Sequence, residues 1–140
     1  LVLQRGFGSP KDLVLEQQCP TVPYGQGKVA AEAGATAMID VSDGLLQDLG
    51  HICELSGVGI DVRTGALKIH DSLVRLAAAT GKDPLGFVLA GGEDHALAAT
   101  FPAEVELPQG WLRIGTVTSG AEVIVDGMPW TGSVGWDHFA

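Results

Sequence analysis

Basic residues are scarce in this sequence: eight Lys and Arg stand against seventeen Asp and Glu among 140 residues, a formal net charge of −9. The few cations are scattered, so no basic patch is there to neutralise a phosphate backbone, and nucleic acid is not an expected partner. A polyphosphate ligand would have to arrive with Mg²⁺ held on carboxylates. Cysteine is scarcer still. Cys19 and Cys53 are too few for a disulfide scaffold and lack the partners that a zinc site needs, which leaves buried free thiols in a reducing compartment as the expectation. No apolar run approaches the roughly 18 residues of a membrane span, and Leu1-Val2-Leu3-Gln4-Arg5 does not make a signal peptide. The cytoplasm is the expected location, without membrane partners. A Gly-x-Ser-x-Gly elbow, a Cys/His dyad and a Walker A Lys are also missing, which removes the commonest nucleophile and P-loop schemes. There is no initiator Met, and the first residues read as the tail of an amphipathic helix, so the chain is expected to be the carboxyl-terminal part of something longer.

Glycine, by contrast, is plentiful at 20 residues, with no G-X-Y period or low-complexity run, and is therefore expected in turns. An apolar share of 46% and a charged share of 18% suit one globular domain over residues 1–140. Ser9-Pro10 reads as the N-cap and first position of a helix over 11–18, followed by a bend at Pro20 to Pro23. A second helix is expected over 24–32, stopped by Gly34, and a buried strand over 35–41. From Leu45 the apolar positions Leu45, Leu46, Leu49, Ile52, Cys53 and Leu55 fit one helical face, closed by Gly57. A strand over 58–62, a helix over 70–80 ending at Gly81, and a short helix opened by Asp83-Pro84 follow. A strand over 95–101 comes next. The segments 112–117 and 122–125 read as hairpin-related strands joined by Thr118-Ser119-Gly120, with a further turn at Asp126-Gly127. The class that results is α/β or α+β.

The sharpest local constellation is Met38-Ile39-Asp40-Val41-Ser42-Asp43-Gly44-Leu45, a strand running through Asp-x-Ser-Asp-Gly into a helix. A helix N-terminus presents N–H groups and partial positive charge to phosphate, while Asp40 and Asp43 are oxygen ligands of the kind Mg²⁺ takes, and Ser42 can donate to a phosphate oxygen. The plainer alternative is that Ser42 or Asp43 caps the helix. Gly91-Gly92-Glu93-Asp94 is the second constellation, either a ligand-approaching backbone with two acids or a tight turn. His51-x-x-Glu54 reads as a solvated pair on one helical face. Trp136 and Phe139 either stack on a small molecule or pin the C-terminus to the core.

Taken together, the 38–45 segment, Asp48-Leu49-Gly50-His51, Ser56-Gly57-Val58-Gly59, Gly91-Gly92-Glu93-Asp94, Arg113-Ile114-Gly115-Thr116-Val117 and Gly135-Trp136-Asp137-His138-Phe139 strongly resemble the thiamine-monophosphate kinase family. They stand in the family's order and cover nearly the whole chain, and the match is to its carboxyl-terminal half. That domain is shared with aminoimidazole ribonucleotide synthetase and selenophosphate synthetase. The resemblance implies a three-layer α/β/α domain with a mixed, partly ferredoxin-like sheet. It also implies transfer of the γ-phosphoryl group of ATP to thiamine monophosphate with Mg²⁺. By resemblance Asp40 and Asp43 are magnesium ligands, with Asp43 the catalytic position, Ser42 touches ATP phosphate, and Glu93 and Trp136 contact thiamine monophosphate. The amino-terminal half, which in the family carries most Mg²⁺ and ATP contacts and the homodimer interface, is expected to be missing, so the chain alone is expected to be inactive. The family's Tyr-Glu-Leu after Gly-Gly-Glu-Asp is replaced by His95-Ala96-Leu97, and its Arg-Pro by Cys19-Pro20. A related enzyme acting on another phosphate acceptor, or a non-catalytic ligand-binding domain, are the alternatives.

Overall fold

The computed structural model describes residues 24–91 and 96–135. The expected helix at 11–18, the bend after it and Cys19 lie outside them. Helix α1 spans Gln26–Glu32, strand β1 Ala37–Val41, helix α2 Leu45–Ser56 and strand β2 Gly59–Val62. A 3₁₀ turn at Thr64–Ala66 leads to α3, Asp71–Thr80, and α4, Pro84–Ala90. Strands β3 (Ala96–Thr100), β4 (Gly115–Thr118), β5 (Val123–Val125) and β6 (Met128–Pro129) complete the order.

The helix boundaries follow from local chemistry. Asp83 accepts from the Leu85 N–H, with Pro84 in the first turn where its missing N–H costs nothing. His70 caps α3 by accepting from Ser72 N through Nδ1. Helix α2 ends where Gly57 turns left-handed at φ 64° and returns its N–H to the Cys53 carbonyl. Its buried side is Leu46, Asp48, Leu49, Ile52 and Cys53. Leu55, expected on that face, is instead solvent-exposed: at 100° per residue it lies about 120° from Leu49 around the helix axis. Burial raises the Cys53 thiol above its ordinary value, and the thiol is free.

β1 and β3 form an antiparallel two-stranded sheet, and a second, mixed sheet has the order β4-β2-β5-β6. The architecture is thus α+β with a mixed sheet. Strands β4 and β5 were expected to be hairpin partners, and they are not. All four residues of β2 are buried, so its ladder groups on both edges need protein partners; β4 takes one edge antiparallel and β5 the other in parallel. The hairpin lies one turn later, where Asp126-Gly127 joins β5 to β6. One core joins both sheets to α2 and α4 through Val41, Leu49, Ile52, Ile60, Leu89 and Val125.

The β5–β6 turn is tied back to β2. Asp61 is buried; its carboxylate accepts from Gly127 N at 2.9 Å and pairs with Arg63 at 2.8 Å. Asp126, at φ 50°, accepts from both the Oγ1 and the N–H of Thr64, and these bonds hold its carboxyl below the usual 3.8. A carboxyl lowered on folding stabilises the fold above its unfolded value, and that contribution disappears as pH falls through the folded one. Asp126→Asn, which tolerates the same left-handed backbone, should therefore flatten the loss of stability below pH 3.8, read from urea midpoints across the acid range. An unchanged acid slope would mean that the latch contributes nothing there.

Candidate functional site

β1 ends at Val41 and α2 begins at Leu45, so Ser42-Asp43-Gly44 makes the whole reversal between them. Asp40, on the strand, and Ser42 are exposed, and Asp43 is half-buried. The hard oxygens of two aspartates separated by two residues fit Mg²⁺, which is usually held by one or two carboxylates plus waters and phosphate oxygens. Among the described residues no group of three or more His, Cys, Asp or Glu side chains is placed to cage a metal. His51 and Glu54 are both exposed, in keeping with a solvated pair.

Neither Ser42 nor Asp43 caps α2. The N-cap is Gly44, with no side-chain cap, and the carboxylate that gathers the turn comes from inside the helix. Asp48 Oδ2 accepts from Ser42 N at 2.9 Å, Asp43 N at 3.2 Å and Gly44 N at 3.3 Å. The Asp48 side chain is 3% exposed. The anion held by these three amides is thus the protein's own carboxylate. The sequence carried a weak signal for this: an acid in the first turn of a helix suits both the dipole and a bond reaching back before the N-cap.

Gly44 is also where distant segments meet. Its backbone is at φ 143°, and a Cβ built on it would lie 2.8 Å from Gly135 Cα, 2.9 Å from the Val134 carbonyl and 3.2 Å from the Ala90 carbonyl. A Cβ on Gly135 would lie 2.6 Å from the Asp43 carbonyl, and Val134 also accepts the Gln47 N–H at 3.2 Å. The antiparallel register pairs Val41 with Ala96, so the exit from β1 and the entry into β3 lie at the same end of the ladder. Residues far apart in sequence, Asp43 and Gly44, Ala90, and Val134 and Gly135, therefore pack together. Glu93 and Trp136 lie outside the described residues.

Next to this turn an apolar cleft of about 660 Å³ is lined by Val41, Leu45, Leu49, Val62, Phe101 and Trp111 among others. Trp111 is fixed there by an edge-to-face contact with Phe101, centroids 5.7 Å apart, and by donating to Gln26 Oε1 at 3.1 Å. The described residues contain no helix long and apolar enough to cross a membrane.

No family model matches the chain. Curated relatives do. Thiamine-monophosphate kinase of Mycobacterium tuberculosis is 56% identical over 122 residues, covering 86% of this chain and 36% of that protein. Thiamine-monophosphate kinase of Corynebacterium glutamicum is 39% identical over 148 residues, covering 99% of this chain and 44% of its own length. Among solved structures, AaThiL complexed with AMPPCP and TMP superposes with a TM-score of 0.78 at 32% identity, covering 99% of this chain and 45% of that one. In sequence and in fold the chain is thus similar to one part of the thiamine-monophosphate kinases, and it spans 36% to 45% of the length of these relatives.

Proposed function

We propose that the chain is the carboxyl-terminal half of a longer ATP-dependent kinase, in which it supplies the thiamine-monophosphate side and part of the magnesium site. The observation that carries this reading is the meeting of three segments at Gly44. In the sequence Trp136 directly follows Gly135 and Glu93 stands three residues after Ala90, so both substrate-contact candidates are close along the chain to residues packed on Gly44, next to Asp43. The solved AaThiL complex with AMPPCP and TMP, an ATP analogue with a second ligand, supports a nucleotide and the acceptor as the two occupants.

The reaction in this reading moves the γ-phosphoryl group of ATP onto a phosphate oxygen of thiamine monophosphate, giving thiamine diphosphate and ADP. Such a transfer depends on alignment and charge neutralisation more than on a protein nucleophile. Asp40 and Asp43 would hold Mg²⁺, whose part is to neutralise phosphate charge. Ser42, exposed beside them, donates its hydroxyl to an ATP phosphate oxygen. Glu93 offers a carboxylate to the cationic acceptor, and Trp136 a ring face on which a thiazolium or pyrimidine can stack. The remaining ATP contacts and the subunit contacts of a homodimer fall to the rest of the longer protein, so turnover by this chain alone is not expected.

Tryptophan fluorescence during titration with thiamine monophosphate and Mg²⁺ tests the reading. Trp111 and Trp130 also emit, but each indole N–H already donates within the fold, to Gln26 and to the Ser133 carbonyl. Saturable quenching should disappear in Trp136→Phe. Quenching that survives this substitution would move the acceptor away from Trp136.

A further inference from the structure

We infer that Asp48 is the positioning residue of the metal-binding turn, a role that rests on the reading of Asp40 and Asp43 as Mg²⁺ ligands. Three observations converge on it. A nearly fully buried carboxylate on an amphipathic helix is costly to desolvate, and it persists here because one oxygen receives three backbone N–H groups. Those groups belong to Ser42, Asp43 and Gly44, the entire link between the strand carrying Asp40 and the helix. And Asp48 is anchored from beneath, since its own N–H donates to the Gly44 carbonyl at 2.9 Å while its neighbour Leu49 is in the core.

The β1–β3 ladder sets Asp40, but an unsupported three-residue turn after the strand would leave the direction of Asp43 relative to it variable. Pinning all three amides of the turn to one buried oxygen removes that freedom before any ligand arrives. The negative charge of Asp48 is spent on these amides, so it acts on the metal through the geometry of the turn and not as a ligand. Partners of this kind, one step removed from the metal, typically change affinity by about 10–100-fold when lost.

The test uses this chain in place of the matching stretch of the mycobacterial relative, Mn²⁺ alone as the probe, and NMR of the amides of residues 40–44. In the parent, Mn²⁺ should broaden these amides saturably, and without metal the Ser42, Asp43 and Gly44 amides should exchange slowly. Asp48→Ala should speed that exchange and weaken Mn²⁺ binding at least about 10-fold. Asp48→Asn keeps an oxygen acceptor and should recover most of both, which a purely electrostatic role for Asp48 would not allow. The Ile52 amide in the middle of α2 reports folding, and its protection should be retained in both variants. Unchanged Mn²⁺ affinity in Asp48→Ala, alongside a clear loss in Asp43→Asn, overturns the positioning role and leaves the metal reading standing. Absence of Mn²⁺ broadening at 40–44 in the parent overturns the metal reading and this inference with it.

Discussion

Asp43→Asn is expected to lower phosphoryl transfer by about 10²–10³-fold in a chimera where this chain replaces the matching stretch of the mycobacterial relative, measured as thiamine diphosphate formed against the unsubstituted chimera. Asn keeps the size and the turn-forming habit of Asp, and the backbone amide of residue 43 still has the Asp48 carboxylate to donate to. What the substitution removes is one negative charge where the neutralising cation is proposed to sit. In a protein with seventeen acids and eight bases there is little other charge nearby with which to position a polyphosphate. The loss should fall mainly on turnover and on the Mg²⁺ concentration needed for half-maximal rate, with thiamine monophosphate affinity changed much less. Activity within about threefold of the parent chimera would take Asp43 out of the metal site.

Gly44→Ala should be a severely damaging change for the addition of a single methyl group. The backbone conformation at residue 44 is one that only glycine adopts readily, and holding another residue there costs about 1–3 kcal/mol. The added Cβ also meets backbone on two sides, Gly135 Cα at 2.8 Å and the Val134 carbonyl at 2.9 Å, with no flexible side chain to yield. Overpacking of this sort adds roughly 1–3 kcal/mol. A shift of the urea midpoint corresponding to about 2–6 kcal/mol is therefore expected, with residues 134–135 displaced from the turn. Because Trp136 adjoins Gly135 in the sequence, thiamine monophosphate quenching should weaken even at temperatures where the variant remains folded. Stability within about 0.5 kcal/mol of the parent would mean that the segments separate without loss, contrary to the convergence argued above.

The helices were legible because their signals are local. Asp with Pro, an apolar face and a closing Gly mark ends that depend on neighbours a few residues away, as at Asp83-Pro84 and Gly57. The pairing of strands was not legible to the same degree. Segments 112–117 and 122–125, close in sequence and both β-forming, invite a hairpin; only the complete burial of β2, which no periodicity in a four-residue strand reveals, explains why it separates them. The turn at 42–44 stood out in the sequence through its acids, but the residue that shapes it did not. Asp48 entered only as the first residue of the Asp48-Leu49-Gly50-His51 motif, with no role of its own, since its burial depends on a turn folding back over it. The approach of Gly135 to Gly44 was equally hidden, because nothing in either segment names the other.

The placement of β2 between β4 and β5 also governs how the chain can fold. Its partners lie about sixty residues further along, as do those of β1, and the short β5–β6 hairpin is the exception. Long loops must close before most of the ladder forms, which favours slow folding over rapid zippering from local turns. During synthesis the helices can form early, but β2 stays an apolar strand with two open edges until the last third of the chain has emerged. A chain cut short before residue 115 has no strand with which to close either edge, and its exposed ladder is suited to pairing with another copy.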